Sequence, residues 1–142
     1  MQQLIFVLVL FTVIQSKVAK AQPLFEDYAE VAYIYVSGCA AIEYLKKSYC
    51  PRQAVQNNMQ SCFELTVQKL KQPYRNEFRR SLGDYLSRLN AGAIEGVDKG
   101  YKTTLNMANG DQQKACELYG VSLATYNQAK LEELNRLALK IR

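Results

Sequence analysis

The chain has 142 residues, 49% of them hydrophobic and 22% charged, a formal net charge of +5 and no histidine. This is a globular composition with room for one ordinary core, and its mild basicity falls short of what a nucleic-acid binder carries. The missing histidine removes His-activated serine and cysteine nucleophiles, His general bases and the commonest metal ligand together.

The uncharged run from Leu4 to Ile14, followed by Ala19-Lys20-Ala21, has the layout of a secretory signal peptide over residues 1–21. The run is shorter than the roughly 20 apolar residues that cross a bilayer. The mature chain is therefore expected to begin at Gln22, to carry no transmembrane segment and to be secreted or periplasmic. Met1-Gln2-Gln3 lacks side-chain charge, and Lys17 and Lys20 crowd the cleavage point. The alternative is an uncleaved N-terminal anchor. In an oxidising compartment the four cysteines read as two disulfides. Cys39, Cys50, Cys62 and Cys116 include no Cys-x-x-Cys pair, so neither a zinc site nor a redox motif is indicated.

Residues 22–142 read as a single helical domain. From Leu24 onward apolar residues recur at spacings of three and four, and no strand alternation occurs. The first helix is predicted from Leu24 to Tyr49, with Phe25, Tyr28, Ala32, Tyr35, Cys39 and Ile42 on one stripe; Cys50-Pro51 ends it. The second runs from Arg52 to Lys71, and Pro73 opens a third that runs from Tyr74 to Met107. Asn109-Gly110-Asp111 is a turn and N-cap signal, after which a fourth helix reaches Arg142. Helices joined by short connections favour an all-α, antiparallel up-and-down bundle of about four helices.

Two features set an expected register. Gly92, Gly96 and Gly100 recur every four residues on the third helix, as do Cys116, Gly120 and Ala124 on the fourth. If the chain reverses at Ala108-Asn109, these smooth stripes face each other, Gly96 meeting Gly120. The alternative is that the glycines break the third helix in two. Cys39 and Cys62 lie equally far from the Cys50-Pro51 turn, and Cys50 and Cys116 lie at one end of the bundle. The expected bonds are Cys39–Cys62 and Cys50–Cys116, each contributing roughly 2–4 kcal/mol.

Candidate chemistry is sparse. Gly96, Gly100, Lys102, Thr103 and Thr104 do not satisfy the phosphate-loop spacing, because Tyr101 separates glycine from lysine and no strand precedes. Carboxylate pairs can catalyse without histidine. Here, though, Glu132 and Glu133 point to different sides of one helix, and Glu26, Asp27 and Glu30 suit the start of another. No enzyme, cofactor or metal is expected. The basic group Lys69, Lys71, Arg75, Arg79 and Arg80 is read two ways: ion-paired internally to Glu26, Asp27 and Glu30, or facing an acidic partner or an anionic lipid surface.

The first helix carries the main interaction signal. It has no charge between Glu30 and Glu43, and Tyr33, Ser37, Ala40, Ala41 and Tyr44 lie opposite the core stripe. Such a helix is covered by a partner or wrapped by its neighbours. The expected function is binding another protein, a second copy included, as an inhibitor, immunity-type or envelope adaptor protein. The contact residues are Tyr33, Ser37, Ala40, Ala41, Tyr44, Arg75, Arg79 and Arg80. The alternative is a carrier of a hydrophobic small molecule or lipid between the helices.

Overall fold

The computed structural model describes residues 2–55 and 57–141, with side chains from Leu24 onward. These form five helices: α1 (Gln2–Ser48), α2 (Met59–Gln68), α3 (Tyr74–Gly83), α4 (Leu86–Met107) and α5 (Gln112–Lys140). The expected all-α bundle is present, with the third limb in two pieces. The segment read as a signal peptide is continuous with the first predicted helix in α1, and its side chains lie outside the described residues. Among the described residues no helix is long and apolar enough to cross a membrane.

The chain runs up, down, up and down. The Cys39–Cys62 bond and the Tyr28 hydroxyl, which donates to the Thr66 carbonyl at 2.6 Å, place α2 antiparallel to α1. Contacts from Tyr28 to Phe78, Tyr44 to Asp98 and Tyr49 to Tyr101 advance together, so α3 and α4 run parallel to α1. Cys50–Cys116 and the Cys39–Asn127 contact step in opposite senses, so α5 returns antiparallel. Both disulfides join the cysteines expected from the register.

Two boundaries depart from the sequence pattern. The second helix starts at Met59 rather than Arg52, because Asn58 caps it, accepting from the Ser61 amide at 2.8 Å, while Glu43 accepts from the Met59 amide. The predicted third helix is interrupted at Asp84-Tyr85, next to Gly83 and not at the glycines of the stripe. Gly and Asp are weak helix formers, and the Tyr85 amide falls back on the Leu82 carbonyl at 3.0 Å. The interruption lets α3 pack on α2 and α4 on α1. The α4–α5 turn follows its expected chemistry. Asn109 (φ 53°) and Gly110 (φ 81°) are left-handed, and the Gly110 and Asn109 amides close on the Leu105 and Asn106 carbonyls. Asp111 then caps α5, accepting from the Lys114 amide.

The core has two parts. At the α2 end, Tyr28, Val36, Phe63, Val67, Leu70, Phe78, Leu89 and Leu134 pack together, each large apolar side chain worth about 1.5–3 kcal/mol on burial. At the other end α2 contributes only its first residue, Met59. There Ala40, Ala41 and Leu45 of α1 meet Ala93, Val97 and Tyr101 of α4 directly, with Ala115 of α5 beside them.

The glycine stripes do not face each other. A Cβ at Gly92 or Gly96 would meet open space. Gly100 instead receives the Tyr119 ring, and Gly120 receives the Gln53 carboxamide. The register places α4 and α5 within a turn of the expected level, but the rotation of both helices differs.

Candidate functional site

The uncharged face of α1 is not a free surface. Ala40 is 2% and Ala41 8% exposed, both covered by α4, which moves in where α2 stops short. Tyr44 is half-buried, and its hydroxyl donates to Asp98 Oδ1 at 2.9 Å. Ser37 is half-buried, and among the five only Tyr33 is exposed, at 43%. The wrapped alternative therefore holds at Ala40 and Ala41, where the expectation of an external contact is corrected, while Tyr33 stays open to solvent.

Two of the three arginines are engaged within the chain. The Arg79 guanidinium donates to both Glu64 oxygens at 2.8 and 2.9 Å and holds that carboxyl below its ordinary range. Arg75 donates to the Leu70 and Gln68 carbonyls, satisfying acceptors at and just beyond the end of α2. The acidic partner is thus Glu64 of α2 and not Glu26, Asp27 or Glu30 of α1. Arg80 is exposed and lies outside this network. Glu132 and Glu133 diverge as expected: Glu133 accepts from Lys130 at 3.0 Å, while Glu132 is exposed at the edge of a groove.

That groove, about 720 Å³, lies between α1, α5 and the stretch holding Gln53, Ala54 and Asn57, where a full-length second helix would have run. The 51–58 segment is tied at one side by Cys50–Cys116 and at the other, beyond Asn58, by Cys62–Cys39. Carboxamides of Gln53, Asn57, Asn127 and Gln128 line it together with Ile42 and Leu131. Asn127 is buried, its Nδ2 donating to Cys39 Sγ at 3.3 Å while Oδ1 has no partner among the described residues. Its carboxamide fits against Gly38, where any Cβ would collide with it.

The other conspicuous surface is the outer face of α5. Between Glu117 and Lys130 the helix carries no charge, yet Leu118, Val121 and Tyr126 are 51%, 65% and 54% exposed. Sequence reasoning missed this face because it followed the buried seam of the same helix. The signal was the uncharged run itself, which the seam does not account for. Against known proteins, no family model, no curated protein and no solved structure matches the chain.

Proposed function

We propose that the protein works by binding another protein in an oxidising, secretory or periplasmic compartment, with the outer face of α5 as its contact surface. The observation that carries this reading is the uncharged, solvent-facing stretch holding Leu118 and Val121, since exposed apolar patches with a polar rim mark interaction sites. The two disulfides support the compartment. Leu118→Glu with Val121→Glu is expected to weaken association by about 2 kcal/mol or more while leaving the melting temperature unchanged. Affinity capture beside thermal melting checks it, and retained capture by the variant rejects the surface. In the secreted protein, intact mass is expected to correspond to a chain starting at Gln22.

A second reading, favoured by the groove beside Asn127, is carriage of a small molecule. Its volume falls within the roughly 300–1,000 Å³ of ligand pockets. The carboxamides of Gln53, Asn57 and Gln128 on its walls fit an uncharged, hydrogen-bonding ligand better than a bare hydrocarbon chain. Native mass spectrometry tests it: a co-purifying small molecule that Asn127→Leu loses supports carriage, and protein of bare mass rejects it.

A further inference from the structure

The outer face of α5 carries charges that mirror each other with opposite sign. Asp111 and Lys114 precede the uncharged stretch, and Glu132 and Arg136 follow it. At 3.6 residues per turn Lys114, Glu132 and Arg136 fall with Leu118 and Val121 inside a sector of about 60°, and Asp111 stands at the N-terminal end of the helix as its cap, one carboxylate oxygen on the Lys114 amide. All six are exposed, and among the described residues none of the four charged side chains forms an ion pair within the chain.

We propose that this face docks a second copy of the same chain, the two α5 helices packing antiparallel across a two-fold axis near Leu123 and Ala124. The inference rests on the reading of α5 as a binding face and names its partner. With the axis there, Asp111 comes level with the partner's Arg136, and Lys114 with the partner's Glu132. Two-fold symmetry repeats each pair. Leu118 and Val121 lie between the charged ends, so apolar contact occupies the centre and ion pairs the rim, the usual anatomy of an interface.

Charge also selects against the alternatives. Parallel, in-register pairing sets Asp111 against Asp111 and Lys114 against Lys114. Sliding the antiparallel pair so that its axis moves half a turn toward the C-terminus brings Lys114 level with the partner's Arg136. Both place like charges together, which costs association free energy and fixes register.

Sedimentation velocity on the purified, disulfide-bonded protein over a concentration series tests the proposal. The wild type is expected to dimerise, more weakly as salt is raised. Lys114→Glu sets a carboxylate against Glu132 twice per dimer and is expected to weaken dimerisation at least about tenfold. Adding Glu132→Lys exchanges the signs and is expected to restore it. Because both positions are exposed, the melting temperature of every variant, taken at a concentration where the wild type is monomeric, is expected to match the wild type. A wild type that stays monomeric throughout, or a double variant no tighter than the single, overturns the second-copy assignment. The broader reading fails separately: if the wild type is monomeric but Leu118→Glu with Val121→Glu loses capture of a different protein, the face binds and only the identity of the partner is wrong.

Discussion

Gly38 and Asn127 show how one atom decides a residue. The Asn127 carboxamide occupies the space a Cβ would take at Gly38, and because Asn127 is itself buried it has little room to withdraw. Gly38→Ala is therefore expected to destabilise by about 1–3 kcal/mol through overpacking. Gly96→Ala meets nothing and is expected to be neutral or to gain up to about 1 kcal/mol of helix propensity. Paired thermal melts check both, and a loss at Gly96 would revive the facing-stripe packing. The stripe was visible in the sequence at the right level but on the wrong face. Spacing gives which glycines share a side of a helix, whereas the side turned inward is set by bulky neighbours such as Tyr119. A second residue-scale expectation concerns pH. The Tyr49 hydroxyl donates to Asp98 Oδ1 at 2.7 Å, which, with lesser help from burial, pushes its pKa up to about 12. A raised value means the contribution is complete below the ordinary tyrosine pKa near 10 and is lost as pH rises through the folded value. The stability gap between wild type and Tyr49→Phe is expected to hold up to about pH 10 and to narrow above it in pH-dependent melts.

At the scale of elements, what the sequence made legible was local chemistry. Asn109-Gly110-Asp111 specifies two left-handed residues and a cap, and the turn forms there. Pro51 marks the end of the first helix for the same reason. The late start of α2 was hidden because Val55 and Met59 keep a helical spacing, and what holds residues 51–55 out of a helix is non-local. Gln53 seats against Gly120 of α5, and Cys50 is bonded to Cys116. The interruption at Asp84-Tyr85 was equally silent, since Leu82, Leu86 and Leu89 preserve the apolar period across it. Asn58 then becomes the residue on which α2 depends. Asn58→Ala is expected to cost about 0.5–2 kcal/mol, read as a lower denaturation midpoint with an unchanged slope. A changed slope would mean that the loss of the cap alters the 51–58 segment as well.

For the molecule as a whole, the short α2 is the decisive feature. It gives one end four helical limbs and a core of large side chains, and leaves the other end with three helices packed through alanines. The smooth face of α1, read as an interface from sequence, exists because α4 must approach closely where no fourth helix intervenes. That could not be seen without knowing where α2 begins. An alanine buries about one methyl group, worth about 0.8 kcal/mol, against about 1.5–3 kcal/mol for a leucine or phenylalanine. The three-helix end therefore has less apolar burial per residue, and the Cys50–Cys116 bond supplies part of what packing does not. Replacing that pair, Cys50→Ser with Cys116→Ser, is expected to remove roughly 2–4 kcal/mol and to act locally. In hydrogen exchange, amides of Ala93–Ala108 and of the first turns of α5 are expected to lose protection before those of α2, α3 and the C-terminal half of α5. The Cys39–Cys62 bond and the large-residue cluster hold that second group. Uniform loss of protection along the chain would instead show that the two clusters unfold as one cooperative unit, with the disulfide stabilising both ends equally.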